Sequence, residues 1–374
     1  MLIVFSGNTS WSMYNFRIGL VKKFLESGYD VCIVAPEDDY TQKINDAGIP
    51  FVGIKNLKRA GTNPVEDYML YKEYKRVYSK LKPDFVFHYT IKPNNYGTLA
   101  CKKLHIPCIS ITTGLGNAFS KGGLLMNFVK FLYKFSSAYA KEVWFLNTDD
   151  KELFVKNKII PEDKSFILPG EGINLNFFKS DIPVHKNGVT TFLLVGRMLY
   201  DKGVKVFVEA SDILLKKGYS ISSLLLGQID LENPEAISSD TLSKWQKDGL
   251  VKYLGPTADV KPFIENADCV VLPSYYKEGI PRVLLEAACM ERPIITTENP
   301  GCRDIVDDGI NGYLCEIKNP KALAEKMEQL VHLSTMQRVN MGKAGRQKMQ
   351  GKFDETHVIN LYLEKCKQYI GIGH

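Results

Sequence analysis

Short apolar runs recur along the whole chain, and most are followed by a stretch whose apolar residues fall at helical spacing. Residues 2–5, 31–35, 51–54, 85–88, 108–112, 143–146 and 166–168 form a first series of such runs. Residues 191–195, 222–226, 251–254, 269–272, 294–297 and 313–315 form a second. Short apolar strands alternating with helices predict parallel sheets covered by helices, so the chain reads as α/β with two doubly wound sheets. Turn residues concentrate between Pro169 and Gly188, which puts the boundary between the series near residue 180. A chain of 374 residues is long enough for two cores of that size.

Composition narrows the class. With 45% apolar and 24% charged residues the protein is an ordinary globular one. Its eight cysteines show no short paired spacing, and several fall in apolar runs, so reduced thiols in a cytosolic protein are expected and zinc is not. The six histidines form no cluster of ligand spacing. No signal-type apolar segment opens the chain and no apolar run approaches about 18 residues, so a soluble or peripheral protein is expected.

Two motifs carry candidate chemistry. Glu278 lies in a loop after the apolar run 269–272, and Glu286 lies in the apolar helical stretch that begins at Pro281. Pro suits the first turn of a helix, so the backbone N–H groups of Gly279 and Ile280 are expected at a positive helix end, where an anion would bind. The alternative is a surface Glu and a helix Glu in an ion pair. About eighty residues upstream, the run 191–195 is followed by Gly196-Arg197-Met198-Leu199-Tyr200-Asp201-Lys202-Gly203 and a helical pattern. Arg197 and Lys202 thus sit on a strand-to-helix connection, at the strand end where open α/β sheets bind ligands. An Arg fork and a Lys point charge together could neutralise a diphosphate.

These residues, with the words Leu272-Pro273-Ser274-Tyr275-Tyr276-Lys277-Glu278-Gly279 and Pro300-Gly301-Cys302-Arg303-Asp304, resemble family 4 retaining glycosyltransferases of the GT-B fold. The N-terminal half resembles a narrower bacterial group acting on undecaprenyl-diphosphate-linked saccharides in capsule, O-antigen or protein-glycan assembly. Residues 10–17, 89–97 and 113–116 carry that match. The resemblance implies two Rossmann-like domains facing across a cleft, an acceptor domain (1–180) and a donor domain (181–352), with a last helix (353–374) crossing back. It implies transfer of a hexose or N-acetylhexosamine, of N-acetylgalactosamine or galactose type, from a UDP-sugar, with retention. Arg197, Lys202 and Glu278 would be catalytic. Glu286, Gly279, Ile280 and Gly7 would bind the donor, and Asn8, Ser10, Trp11, His88 and Lys92 the acceptor. A catalytically silent nucleotide-sugar scaffold, or another GT-B enzyme such as an α-glucan synthase, are the alternatives. No Asp-x-Asp occurs, so no metal cofactor is expected.

Charge is uneven. Residues 1–180 hold 24 Lys/Arg against 17 Asp/Glu, and residues 85–141 contain no acidic residue but seven lysines. Within them, residues 124–141 fit a helix with Leu124, Leu125, Phe128, Phe131, Leu132, Phe135 and Ala138 on one face and Lys130, Lys134 and Lys141 opposite. That helix reads as a core helix with a solvated lysine face, as an interfacial helix on anionic lipid, or as a nucleic-acid surface. No nucleic-acid motif accompanies it, and the resemblance favours peripheral association with the inner face of the cell membrane. A monomer is expected on base rates alone.

Overall fold

The computed structural model describes residues 1–58, 63–115, 123–180 and 188–371, the side chains of 123–128 excepted. They form two compact units, Met1–Gly172 together with the segment from Glu355 onward, and Ile173–Asp354.

The first unit runs β1 (Leu2–Ser6), α1 (Ser10–Glu26), β2 (Asp30–Ala35), α2 (Thr41–Asp46), β3 (Phe51–Gly53), α3 (Pro64–Leu81), β4 (Phe85–Tyr89), α4 (Thr98–Leu104), β5 (Cys108–Thr112), α5 (Gly123–Ser137), β6 (Glu142–Phe145), α6 (Thr148–Lys156) and β7 (Ser165–Ile167). Its seven strands are parallel in the order β3-β2-β1-β4-β5-β6-β7. Helix starts follow from local chemistry. Asn63 caps α3 by accepting from the Val65 N–H at 3.0 Å, Pro64 opens it, and Glu66 and Asp67 meet its positive end. Asn147 caps α6 in the same way.

The second unit runs β8 (Thr190–Val195), α7 (Val204–Lys216), β9 (Ile221–Leu226), α8 (Ser239–Lys247), β10 (Lys252–Tyr253), α9 (Lys261–Glu265), β11 (Cys269–Leu272), α10 (Arg282–Cys289), β12 (Ile294–Thr297), β13 (Gly312–Cys315), α11 (Pro320–His332) and α12 (Thr335–Lys348). Its sheet is parallel in the order β10-β9-β8-β11-β12-β13. The thirteen strands among the described residues lie within one residue of the apolar runs that announced them. The fold class is therefore α/β with two Rossmann-like sheets.

The last helix, α13 (Glu355–Ile370), belongs to the first unit. Its Tyr362 ring packs 4.9 Å from Phe87 and 4.7 Å from Trp144, between the aromatic side chains of β4 and β6. Lys365 and Tyr369 each donate to the Glu142 carboxylate at 2.6 Å.

Helix α5 corrects one expectation. Phe131 and Phe135 are 67% and 51% exposed, whereas Val129, Tyr133, Ser136 and Ser137 are buried. Phe131 and Phe135 of the stripe assigned to the core turn outward while Leu132 still packs against it, and small hydroxyls fit against the neighbours: Ser136 donates to Asn95 at 2.7 Å. The side chains of Leu124, Leu125 and Phe128 lie outside the described residues, as do residues 181–187 of the boundary segment and Gly116 of the 113–116 word.

Candidate active site

Strand order reverses between β8 and β11, the switch point where the carboxyl ends of an open parallel sheet leave a crevice. The loop after β8 carries Arg197 and Lys202, and the loop after β11 carries Glu278. Gly203 joins the first loop to α7 at φ +78°, and a Cβ there would collide with the carbonyl oxygen of Pro273, so the two loops touch through a glycine. The backbone carbonyl of Asp201 accepts from the N–H groups of Tyr275 and Tyr276 at 2.9 and 3.0 Å, which ties the loops further.

Across that junction Lys202 Nζ lies 2.5 Å from Glu278 Oε1. Ser274 Oγ donates to the same oxygen at 3.0 Å, and Lys202 also stands 5.2 Å from the Tyr276 ring centroid. Both members of the pair are largely enclosed, with side-chain exposures of 15% and 9%. Arg197 is more open, at 33%, and donates to Asp230 Oδ2 at 2.8 Å. Glu278 is held from the loop after β12 as well: Gly301, at φ +80°, lies so close to the carbonyl oxygen of Gly279 that a Cβ would strike it. Glu286 sits in α10, buried, and accepts from Arg282 Nε at 3.1 Å one turn away. Burial pushes its carboxyl above the ordinary Glu range, with Arg282 opposing. Pro281 is the residue before α10, with β-region ψ of 112°.

Sequence reasoning missed Asp201, Asp230, Ser274 and Arg282. Asp201 is buried, its Oδ1 has no hydrogen-bond partner among the described residues, and burial raises its carboxyl, with Glu235 and Glu278 adding to the rise. Its position between Arg197 and Lys202 was the available signal. Asp230, 33 residues from Arg197, gave none.

In the first unit the order reverses between β1 and β4, and the candidates there behave differently from one another. Gly7 is buried against Met13, Asn8 is half-buried, and Trp11 is 45% exposed with its ring edge on Phe16. Ser10 is fully buried and donates to the Pro36 carbonyl at 2.6 Å, so the acceptor role expected of it gives way to tying α1 to β2. His88 is corrected likewise. It is fully buried, with Tyr78 Oη 3.0 Å from Nε2 and Thr98 Oγ1 3.3 Å from Nδ1, which leaves it no face for a substrate. Lys92 is largely enclosed and pairs with Asp67 at 3.0 Å. Between them Thr90 holds φ +71°, rare for a β-branched residue, and its buried Oγ1 has no partner among the described residues. Such strain collects at functional loops. Arg17, buried, pairs with Glu171 and lies 4.0 Å from the Tyr89 ring centroid.

Among the described residues one group brings three potential metal-binding atoms within 4.8 Å of one another, from His88, Cys101 and Cys108. Their spacing in the sequence concealed it. Both nitrogens of His88 already face hydroxyls, which fits a buried polar knot between β4, α4 and β5. Of the basic residues assigned to the surface, Lys134 and Lys141 are exposed, whereas Lys130 is half-buried and donates to Asn157 at 2.8 Å.

Residues 177–348 match the glycosyl transferases group 1 family, and residues 2–147 match the glycosyl transferase 4-like family. The chain is 30% identical over 97% of its length, and 98% of the relative's, to the N,N'-diacetylbacillosaminyl-diphospho-undecaprenol alpha-1,3-N-acetylgalactosaminyltransferase of Campylobacter jejuni. It is 26% identical, over 65% of both chains, to the UDP-Gal:alpha-D-GlcNAc-diphosphoundecaprenol alpha-1,3-galactosyltransferase of Escherichia coli. Among solved structures, Anabaena HepE in complex with UDP superposes with a TM-score of 0.80 at 15% identity, over 98% of this chain and 100% of that one. A Rickettsia africae glycosyltransferase gives 0.76 at 19%, over 98% of both. Those structures establish the GT-B fold. With full-length similarity to a named transferase, matching domain families in both halves and this fold, the chain belongs to the group 1 glycosyltransferases and is a hexosyltransferase.

Proposed function

We propose that the protein transfers a hexose or N-acetylhexosamine, of N-acetylgalactosamine or galactose type, from a UDP-sugar to an undecaprenyl-diphosphate-linked saccharide, with retention and without a metal. The observation that carries the reading is the Arg197, Lys202 and Glu278 group at the switch point of the second unit. It supplies two cations on rigid loop ends where a diphosphate would lie. The full-length relative from Campylobacter jejuni, which acts on such a lipid-linked saccharide by its name, supports the acceptor class.

In this reading Arg197 and Lys202 exchange their resting carboxylate partners for the diphosphate and stabilise the charge that grows on the departing UDP oxygen, the kind of electrostatic term that dominates many catalysed reactions. Glu278, freed from Lys202, accepts from hydroxyls of the donor sugar near the reacting carbon. Glu286 accepts from the ribose hydroxyls, and the Gly279 and Ile280 N–H groups meet the sugar or phosphate. The bond from the anomeric carbon to the UDP oxygen breaks as the acceptor hydroxyl attacks on the same face, and the leaving phosphate oxygen takes the hydroxyl proton. Lys92 and the β1 loop serve the acceptor, and the protein works peripherally at the inner face of the cell membrane.

The test is UDP release from a panel of UDP-sugars, with and without a synthetic undecaprenyl-diphosphate monosaccharide, in the presence of a chelator. Acceptor-dependent turnover lost in Glu278→Ala and Lys202→Ala is expected. Nucleotide binding with no turnover for any pair would refute the transfer.

A further inference from the structure

A hollow of about 590 Å³ lies between α3, α4 and α5, apart from the groups assigned above to donor chemistry. That volume falls within the range of small-molecule sites. Its walls are Tyr68, Tyr71, Leu99, Leu132 and Phe135, which makes it predominantly apolar. The same helices expose more apolar surface beside it: Val65 and Met69 of α3 are 61% and 50% exposed, and Phe131 of α5 is 67% exposed. Soluble proteins rarely leave such residues together unless something covers them.

The polar groups of the hollow restrict what that is. Asp67 accepts from Tyr96 Oη at 2.7 Å and from Lys92 Nζ at 3.0 Å, so the carboxylate in the lining is already satisfied by a cation. Along α4 the lining runs from Tyr96, just before the first turn, to the exposed Lys102, Lys103 and His105 at its end. At 1.5 Å per residue that is roughly 10 Å or more of groove. The Lys102 ammonium stands over the Phe135 ring, 4.5 Å from its centroid, so a cation caps the apolar wall at this end. An apolar trough whose Asp67 wall pairs with Lys92, and whose other end carries Lys102 and Lys103, fits one hydrocarbon chain attached to an anion. Phospholipid has two chains, and the trough is single. Lys92 stands on the loop after β4, at the switch point of the first unit, which ties the trough to the place where the acceptor is expected.

We propose that the trough between α3, α4 and α5 holds the first isoprene units of the polyprenyl chain of the acceptor, with the diphosphate toward Lys92. This rests on the proposed transfer to a lipid diphosphate. It gives the outward turn of Phe131 and Phe135 a reason, and it moves the lipid contact from the lysine face of α5 to the groove between helices.

The experiment is photolabelling of the full chain with a diazirine-bearing farnesyl diphosphate, followed by peptide mapping. Label is expected in the peptides that hold Leu99 and Leu132, displaced by undecaprenyl diphosphate and not by phosphatidylglycerol vesicles. Leu99→Trp fills the trough and displaces the equivalent of a few methylenes of burial, so probe affinity should fall about tenfold. Tyr68→Asp, at a position 57% exposed, should fall similarly without challenging the core. Thermal unfolding of each variant, followed through the first unit's aromatic near-UV signal, checks that it is folded. Label elsewhere, label unaffected by both variants, or label displaced only by the vesicles overturns the proposal. Groove labelling without transfer to any acceptor in the UDP-release panel would count against the transfer alone; transfer without groove labelling would count against the trough alone.

Discussion

Removing Lys202 separates two effects that the Lys202–Glu278 pair combines. Breaking a fully buried pair from one side destabilises by about 3–5 kcal/mol because a charge is left in low dielectric. Here the side chains keep 15% and 9% exposure and Ser274 still donates to Glu278, so about 2–3 kcal/mol is the working figure for Lys202→Ala. In a unit of this size that lowers the melting transition by roughly 4–12 °C. Catalysis should fall separately, by about 10²–10³ in kcat, the usual loss when one preorganised donor to a developing anion is removed. The double variant Lys202→Ala/Glu278→Gln removes the stranded charge and should recover most of the melting temperature while staying inactive. Calorimetry and UDP release on the three proteins read both quantities. Recovery of kcat together with stability in the double variant would refute the assignment of Lys202 to the leaving diphosphate.

Other outcomes follow from the same geometry. Glu286→Gln should stabilise the protein at pH 7 while raising the KM for the UDP-sugar. Burial raises the folded pKa of Glu286, so the wild type carries an ionisation penalty above that pKa, and the gain should shrink as pH falls toward the ordinary value of 4.5; a gain constant with pH would contradict this. Gly203→Ala meets both the positive φ and the Pro273 carbonyl, so it should destabilise by more than about 1 kcal/mol and reduce activity by moving Lys202, measured by denaturation and turnover. His88→Gln should lower stability by about 1–3 kcal/mol through the Tyr78 and Thr98 hydroxyls, with the KM for the lipid acceptor unchanged in the folded protein; a selective rise in that KM would restore an acceptor role.

The strands were legible because a buried parallel strand must be apolar along its length, so runs such as 108–112 and 269–272 announce themselves. The cations and Glu278 were legible because short loops at strand ends leave their residues few places to go. What stayed hidden depended on distant partners. Ser10 and His88 sit at strand or helix ends as substrate-contacting residues do, and only the Pro36 carbonyl and the Tyr78 and Thr98 hydroxyls reveal that they are occupied. In helix α5 periodicity does not say which residues meet the core: Leu132 of the expected stripe does, Phe131 and Phe135 do not, and Ser136 does because Asn95 offers it a partner.

The return of α13 to the first sheet has a consequence during synthesis. The first unit is written in two pieces of the message, separated by the whole of the second unit, which is continuous from Ile173 to Asp354. Domains fold as their residues leave the ribosome. The second unit can thus finish first, although it is translated later than most of the first, while Phe87 and Trp144 wait uncovered for Tyr362. Nascent chains that end between Asp354 and Tyr362 and carry a C-terminal linker long enough to bring Asp354 out of the ribosome should hold a folded second unit and an aromatic surface open to chaperones.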